Sequence, residues 1–448
     1  MQKLAMCGGE PLIQNEIPQK LLDIMKWPIY TEEDEQAALE VIRNNSFSGV
    51  DVTEKFEKEF AEWIGTDYAV AYCNGTMSLA AAMFAVGLGK GDELICTTKT
   101  YWASAAQAYT FGATVAFCNI NDMLSMDPDD IERLITPKTK AIMVVHYISY
   151  PCDMDKIMAI AKKHNLKVIE DVSHAQGGLY KGKRLGTFGD VAAMSLMSAK
   201  SFAAGELGVV VTNNRHMYER AMAYGHYDRN NANYITESEE LIPYYHMALG
   251  GVKGRANQLC CAIARVQLKY HDERCAEIRK AMNYFWDLLE GLPGIKPIRV
   301  DESTGSNNAG FYCAAGAYFP NELHGLPVSL FAKAVNAQIG GGRAWISWGA
   351  NFCLHTHPFF KTFDFDNNGK PSRIAYVERD VRELDEALKP SEEKYSFSAP
   401  WIKKFDKEWI EKLAGAFKTV IENHEQLISD DMDVSESQGG RWYGFKNQ

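Results

Sequence analysis

The 448-residue sequence contains no apolar run that approaches the ~20 residues needed by a membrane-spanning helix. Residues 1–19 lack the apolar core of a secretory signal peptide. The ten cysteines are scattered along the chain without a C-x-x-C pair, which is typical of a protein in a reducing compartment. We therefore predict a cytoplasmic protein that does not bind a membrane.

Positive charge is also scarce, since 47 Lys and Arg residues stand against 58 Asp and Glu, for a net charge of -11. Without a basic stripe to follow a phosphate backbone, we expect no nucleic-acid partner. His355 and His357 have no Cys, Asp or Glu at a metal-ligand spacing, so no metal site is predicted. The 46% apolar content fits an ordinary globular core, and the length favours two domains.

Short apolar runs alternate with helical patterns between residues 68 and 215. Strands are predicted at 68–72, 93–97, 114–117, 141–146, 167–171, 190–196 and 209–212. Helical patterns such as 76–86 and 154–164 lie between them. This alternation predicts an α/β fold with a largely parallel sheet covered by helices on both faces. Ligands of such sheets bind at the carboxyl ends of the strands.

The pattern changes near residue 253, where one long helix is predicted from 256 to about 292. A mixed region follows, with further helical stretches at 377–388 and 407–428. We predict an N-terminal arm at 1–30, a large domain at 31–270 and a smaller α+β domain at 271–428. The polar, Gly-rich residues 429–448 are predicted to form an extended or poorly ordered tail.

Asn74, Gly75 and Thr76 lie between a predicted strand and an Ala-rich helix. Small residues leave backbone N–H groups free at this position, and Thr76 can cap the helix. Such a helix start suits a single phosphate group. An ordinary helix cap is the alternative reading of this motif taken alone.

Two further strands end in residues that carry chemistry. Asp171 ends one strand, where its carboxylate could pair with a protonated ring nitrogen and keep a pyridoxal ring electron-withdrawing. Lys200 follows another strand that ends near Ser195, and a lysine in a partly apolar setting can form an imine with an aldehyde. Each residue alone has an ordinary alternative, a capping Asp or a solvated Lys. Their combination with a phosphate site in one α/β domain predicts a pyridoxal-phosphate enzyme.

These motifs resemble those of the DegT/DnrJ/StrS aminotransferases, the sugar and cyclitol branch of the fold-type-I pyridoxal-phosphate enzymes. The resemblance covers about residues 27–290 and continues weakly to about 425. The motifs that carry it are N-G-T-x-S-L-A-A-A (74–82), L-G-K-G-D-E-L-I (88–95), V-I-E-D-V-S-H-A-Q-G (168–177), L-G-T-F-G-D-V (185–191), S-L-M-S-A-K-S-F-A-A-G-E-L-G (195–208), R-A-N-Q-L-C-C-A-I-A-R-V-Q-L (255–268) and L-H-T-H-P (354–358).

The resemblance implies a role for each matched residue. Lys200 would form the Schiff base with pyridoxal 5'-phosphate and move the proton, and Asp171 would pair with the pyridine nitrogen. Gly75, Thr76 and Ser195 would hold the phosphate.

Three further positions follow from the same resemblance. Tyr101 would stack on the cofactor, and His174 would lie beside the ring oxygen or support the site without direct contact. The family's Gly-x-Asn-x-Arg reads Gly251-Val252-Lys253-Gly254-Arg255 here. Lys253 would therefore replace an Asn that reaches the phosphate of the neighbouring subunit in a homodimer, unless that contact is lost.

The implied activity is a ping-pong transfer of an amino group from Glu or Gln to a keto-sugar or keto-cyclitol. The N-terminal L-A-M-C-G-G-E-P and Trp27-Pro28 favour the glutamine-dependent cyclitol and aminohydroxybenzoate-synthase-like branch. Arg343 either binds a substrate carboxylate in a bidentate manner or is an ordinary loop arginine.

Two other functions remain as alternatives. One is a pyridoxamine-dependent deoxysugar dehydratase, although in that branch a histidine replaces the lysine. The other is a non-catalytic ligand-sensing or scaffold protein with the same fold.

Overall fold

A computed structural model of the protein describes residues 2–349, 351–361 and 381–428. The predicted tail at 429–448 and the first four residues of the predicted 377–388 helix lie outside the described residues. The described chain forms a seven-stranded sheet, a three-stranded sheet and a two-stranded hairpin, and helices pack around them.

The large sheet has the strand order β1-β9-β8-β5-β4-β2-β3. Only β9 runs antiparallel to its neighbours, and the other adjacent pairs are parallel. The strands, with the β6–β7 hairpin between β5 and β8, are β1 (Tyr68–Tyr72), β2 (Glu93–Thr97), β3 (Thr114–Cys118), β4 (Thr139–Val145), β5 (Lys167–Asp171), β6 (Leu179–Tyr180), β7 (Lys183–Arg184), β8 (Val191–Ser195) and β9 (Gly208–Thr212). The seven predicted strands are confirmed to within two residues at each end.

Helices cover both faces of this sheet, which explains why its strands are largely apolar rather than alternating. Val210 of β9 lies in the same apolar cluster as Leu79 and Met222, whereas Val209 lies in the cluster of Phe56 and Cys261. The helices of this part are α1 (Gln19–Met25), α2 (Glu32–Arg43), α3 (Asp51–Ile64), α4 (Gly75–Ala85), α5 (Ala103–Ala106), α6 (Met154–His164) and α7 (Arg215–Gly225).

The long helix α8 (Gln258–Asp287) crosses the predicted domain boundary at residue 270 without interruption. It starts two residues later than predicted because the Asn257 side chain accepts a hydrogen bond from the Leu259 N–H and caps it. Beyond it lie β10 (Ile295–Pro297), β11 (Ala315–Tyr318), α9 (Val328–Ile339), α10 (Pro358–Lys361), α11 (Lys389–Glu392), β12 (Tyr395–Ser398) and α12 (Lys407–Glu422). The described part of the predicted 377–388 helix, Val381–Leu388, is a 3-10 helix.

The N-terminal arm packs with this C-terminal part. Leu21 and Ile24 are buried in the same apolar cluster as Phe331 and Phe417. The Ile13 N–H also donates to the carbonyl of Ile339 at 2.9 Å. Among the described helices, none combines the length and apolar character that crossing a membrane requires.

A buried ion pair joins α3 to the segment that follows α7. Both guanidinium nitrogens of Arg229 contact Glu57 carboxylate oxygens at 2.8 Å, and the two side chains are 3% and 6% exposed. We predict that Arg229→Met lowers the free energy of unfolding by about 3–5 kcal/mol, because it leaves the Glu57 carboxylate buried without its cation. Urea-induced unfolding followed by circular dichroism measures this loss.

The matched control is Asp129→Asn, which breaks the exposed pair between Lys156 and Asp129. Its effect should stay below about 1 kcal/mol, since exposed ion pairs contribute little. Equal losses in the two variants would contradict the assignment of Arg229 as a core residue.

Candidate active site

The candidate site lies at one edge of the large sheet. Because β1, β8, β5, β4 and β2 run in the same direction, their carboxyl ends meet there. The predicted residues Gly75, Asp171 and Ser195 follow or end three of these strands, and Lys200 follows Ser195 by five positions.

Helix α4 begins at this edge with a glycine that has no room for a side chain. A Cβ on Gly75 would lie 2.5 Å from the Cβ of Ser195, far closer than two carbons can approach. The amide N–H groups of Gly75 and Thr76, in the first turn, have no acceptor within the helix because no turn precedes them. These amides and Ser195 form the predicted anion cradle.

The prediction that Thr76 caps this helix is wrong. Asn74 is the cap, and its side chain accepts a hydrogen bond from the Met77 N–H at 2.9 Å. Asn74 has the extended backbone of an N-cap, which turns its short polar side chain toward the first turn. Thr76 therefore lies inside the first turn.

Asp171 ends β5 and is only 4% exposed. Its carboxylate accepts a hydrogen bond from the Ser104 hydroxyl at 2.7 Å and another from the Ser173 N–H at 3.0 Å. The Ser173 hydroxyl in turn accepts from the Ser195 N–H at 2.9 Å. This network connects the acid to the cradle residue and holds the carboxylate in one orientation.

The neighbouring Glu170 points to the opposite face of the sheet from Asp171. Its contacts anchor the carboxyl end of β5. Its carboxylate contacts His146 at 3.1 Å and accepts from the N–H groups of Gly186, Phe188 and Gly189 at 2.7–2.8 Å. Burial acts to raise the Glu170 pKa, but His146 and these amides lower it below its usual value. A charged Glu170 thus fixes the residue next to Asp171.

Lys200 is 8% exposed and lies against an aromatic ring. Its ammonium is 4.4 Å from the centroid of Tyr312, and the indole N–H of Trp27 donates to the Lys200 carbonyl at 2.8 Å. The backbone of Lys200 also closes a turn onto the Met197 carbonyl. This is the enclosed, partly apolar setting that an imine-forming lysine requires.

His174 shares the Tyr312 ring with Lys200. Its imidazole stacks on Tyr147 at 5.4 Å and meets the Tyr312 ring edge-on at 4.9 Å. The Nδ1 atom accepts a hydrogen bond from the Ile148 N–H, so in the neutral ring Nε2 carries the proton. Contact between His174 and a cofactor stays a prediction.

Tyr101 and Lys253 lie at the rim rather than inside the site. Tyr101 is 43% exposed, and its ring is 5.1 Å from that of Trp102. Lys253 is exposed, with its ammonium 5.7 Å from the Tyr227 ring. The next residue, Gly254, accepts a hydrogen bond from the Cys73 N–H, so this loop borders the cradle of its own chain. The roles of Tyr101 and Lys253 stay predictions.

The sequence analysis missed three residues of this site. Ser104 is the single hydroxyl in a turn that otherwise reads Ala-x-Ala-Ala, and that contrast is a weak signal of a role. Tyr312 lies in no motif and reaches Lys200 only through the packing of the C-terminal part. Trp27 belongs to a sequence feature shared with one branch of the family, but that feature does not predict its hydrogen bond to Lys200.

These residues fit pyridoxal phosphate. The cradle that forms where Gly75 approaches Ser195 suits a phosphate, the buried Asp171 carboxylate suits a protonated ring nitrogen, and Lys200 suits the aldehyde. Fold and site together define a pyridoxal-phosphate-dependent transferase of fold type I.

The chain belongs to the DegT/DnrJ/EryC1/StrS aminotransferase family, whose model matches residues 28–339. Members of this family are pyridoxal-phosphate-dependent aminotransferases, so the predicted family, class of enzyme and cofactor are confirmed.

Two curated relatives illustrate the range of the family. The chain is 39% identical over 243 residues to the GDP-perosamine synthase of Escherichia coli O157:H7. That match covers 53% of this chain and 63% of the relative, which is less than two thirds of the relative's length. A protein of Micromonospora echinospora, provisionally named L-glutamine:3-amino-2,3-dideoxy-scyllo-inosose aminotransferase, is 30% identical, and the match covers 67% of this chain and 69% of that protein.

Solved structures confirm the fold. An aminotransferase from Psychrobacter cryohalolentis superposes with a TM-score of 0.74 at 26% identity, covering 89% of this chain and 98% of that one. The 3-amino-5-hydroxybenzoic acid synthase also gives a TM-score of 0.74, at 22% identity, with the same coverage. At that identity the second likeness shows the fold alone.

We predict that Gly75→Ala weakens cofactor binding at least about tenfold, because its Cβ forces helix α4 away from Ser195 and opens the cradle. Equilibrium titration of the cofactor-free protein with pyridoxal phosphate, read by absorbance, measures the change. Gly89→Ala is the control, since the nearest atom to its Cβ is 3.9 Å away. Unchanged affinity in Gly75→Ala would remove the cradle from the binding site.

Proposed function

We propose that the protein transfers an amino group from Glu or Gln to a keto-sugar or keto-cyclitol in a ping-pong reaction that uses Lys200. The observation that carries the proposal is the buried Lys200 at the same sheet edge as Asp171 and the Gly75 cradle. The likeness to a perosamine synthase and to a cyclitol aminotransferase supports the acceptor class.

Each group of residues has a separate task. The first-turn amides at Gly75 and Thr76, with Ser195, hold the phosphate of the cofactor. Lys200 binds the cofactor through its aldehyde group. When bound, pyridoxal phosphate supplies an electron sink that stabilises negative charge at the α-carbon of an amino acid. Tyr101, at the exposed end of the β2 segment, provides an aromatic face, and His174 supports the ring oxygen side.

Lys200 moves the proton. Once displaced by the amino donor, its free amine takes a proton from the donor's α-carbon and returns it one bond away, acting as base and then as acid. The Tyr312 ring 4.4 Å below the nitrogen keeps the side chain at the site and excludes water from one side. The hydrogen bond from the Trp27 indole N–H to the Lys200 carbonyl fixes the backbone of Lys200, and thereby the origin of its side chain.

The Asp171 carboxylate faces the ring nitrogen of the bound cofactor. Two donors, the Ser104 hydroxyl and the Ser173 N–H, hold the carboxylate in place. Because both are fixed within the fold, the carboxylate does not have to reorient during the reaction.

We also propose a cytoplasmic homodimer. The segment 227–252, which leads to Lys253, carries exposed apolar side chains that water does not favour, namely Tyr227, Ile242, Tyr244, Met247 and Val252. Pairing of this surface between two copies would cover it and bring each Lys253 toward the other copy's cradle. All ten cysteines are free, which fits a reducing compartment.

We predict that Lys200→Ala abolishes turnover and the visible absorption of the lysine-bound cofactor. The Lys200 ammonium lies on the Tyr312 ring beside the site rather than inside an apolar core cluster, so the fold should persist. Absorbance spectra before and after addition of Gln or Glu to the wild type identify the donor by the loss of this absorption.

Lys162→Ala, at an exposed position of α6, is the control and should behave like the wild type. Wild-type turnover in Lys200→Ala would reject the proposed function. Absence of any cofactor absorption in the wild type after addition of pyridoxal phosphate would favour the non-catalytic alternative.

A second prediction concerns the acid. Asp171→Ala should lower kcat by at least about 100-fold, or about 2.7 kcal/mol of activation free energy, because the ring nitrogen loses its counter-charge. Steady-state kinetics at saturating substrates measure kcat, and thermal unfolding checks that the fold survives. A normal kcat in a folded Asp171→Ala protein would remove this role.

A further inference from the structure

A buried glutamine side chain connects the turn that carries Lys200 to the ends of two strands. Gln176 follows β5 and is 0% exposed. Its Nε2 group donates hydrogen bonds to the carbonyls of Ser173 at 2.9 Å and Ser195 at 2.6 Å. Its Oε1 atom accepts a hydrogen bond from the Ser201 hydroxyl at 2.7 Å. One amide therefore joins the segment after β5, the end of β8 and the residue next to Lys200.

The partners of this amide fix its orientation. Carbonyl oxygens can only accept, so they select the Nε2 end of Gln176, whose two N–H groups match the two carbonyls. The hydroxyl of Ser201 then donates to the remaining oxygen. Because a buried polar group without a hydrogen bond is costly, each partner is held at a defined distance from the other two.

Helix α8 also fixes the main chain of Gln176. The Nε2 atom of the buried His271 lies 3.0 Å from the Gln176 carbonyl, and it must carry the proton because the carbonyl can only accept. Burial lowers the pKa of His271 to about 4, so the ring is neutral at neutral pH. The same ring lies 4.8 Å from the ring of Phe202, which follows Lys200 by two positions.

The opposite end of this connection, Ser201, is packed against the C-terminal part. A Cβ on Gly310 would lie 2.7 Å from the Ser201 Cβ, so the two residues leave no room for a shift toward each other. Two positions after Gly310, the Tyr312 ring lies against the Lys200 ammonium. The turn of Lys200 is therefore held between Gln176 and the C-terminal part.

The phosphate cradle depends less on this amide than the lysine does. Ser195 pairs with Gly208 in the β8–β9 ladder, and its N–H donates to the Ser173 hydroxyl at 2.9 Å. Lys200 lies five positions beyond Ser195, outside the ladder. Loss of the Gln176 amide should thus shift the turn of Lys200 more than it shifts the cradle.

We propose that Gln176 is a positioning residue that sets the location of the Lys200 amine relative to the phosphate cradle. The proposal rests on the function proposed above and deepens it at the same site. Gln176 acts through Ser201 and the Ser195 carbonyl, and it takes no part in proton transfer. Its effect falls on the distance between the two points at which the cofactor is held.

The test compares two forms of the cofactor, titrated into the cofactor-free protein and followed by tryptophan fluorescence. Pyridoxal phosphate binds through its phosphate and its aldehyde, whereas pyridoxamine phosphate has no aldehyde for Lys200. Gln176→Met removes the amide and keeps a side chain of similar length. It should weaken binding of pyridoxal phosphate at least about tenfold, and binding of pyridoxamine phosphate less than about threefold.

Gln338→Met is the matched control. Gln338 is also buried, and its amide bonds the N-terminal arm through the Ala5 N–H at 3.0 Å and the Glu10 carbonyl at 3.3 Å. This variant should lower the unfolding temperature as Gln176→Met does but leave both affinities unchanged. Equal weakening of the two cofactor forms in Gln176→Met, or an unchanged affinity for pyridoxal phosphate, would overturn the proposal.

Ser201→Ala is the second variant, used also if Gln176→Met does not fold. It removes one hydroxyl and keeps the Gln176 amide on both carbonyls. Binding of pyridoxal phosphate should weaken at least about threefold, with pyridoxamine phosphate unchanged. A folded Ser201→Ala protein that binds both forms like the wild type would remove the connection to Lys200.

Lys200→Ala separates this proposal from the proposed function. In that variant the preference for pyridoxal phosphate over pyridoxamine phosphate should disappear. If Lys200→Ala keeps the wild-type preference, the role of Lys200 and the proposed function are rejected. If the preference depends on Lys200 but persists in Gln176→Met, the proposed function stands and the role of Gln176 alone is rejected.

Discussion

The close approach of helix α4 to the ends of β8 and β9 is the constraint on which the site depends. At Gly75 a side chain would meet Ser195, and at Gly208 a Cβ would lie 2.4 Å from the backbone of Asn74. Because both residues are glycines without a Cβ, the first turn of α4 packs directly against the end of β8 and the start of β9. The first-turn amides then lie next to Ser195, and an anion bound there would be fixed relative to the whole sheet.

The same edge of the sheet offers two different environments, one around Asp171 and one around Lys200. Asp171 lies in a polar network of serine side chains and backbone amides, and the Glu170–His146 contact fixes its strand from the opposite face. Lys200 instead lies against Tyr312. A carboxylate needs hydrogen-bond donors when it is buried, whereas an imine-forming amine needs a partly apolar setting. The fold separates these requirements by placing hydroxyls on one side and rings on the other.

The C-terminal part and the N-terminal arm supply the aromatic residues beside Lys200, which the large sheet does not provide. Tyr312 and Trp401 come from the first, and Trp27 comes from the second. All three meet beside Lys200 because the arm is buried in the C-terminal apolar cluster. The aromatic side chains beside Lys200 therefore come from segments that are far apart in the chain.

The sequence alone determined the seven strands of the large sheet, because each is a short apolar run bounded by turns or helical patterns. It also predicted that the acid, the lysine and the cradle lie at one edge of the sheet, since each follows or ends such a strand in a motif of defined residues. Sequence could not decide which residue caps α4, because Asn74 and Thr76 both have capping side chains and only backbone geometry selects Asn74. Only the tertiary structure decided that Ser104, 67 positions from Asp171, and the aromatic residues Tyr312 and Trp401 belong to the site. Their contacts with the site depend on how separate segments pack, and no local pattern along the chain records that packing.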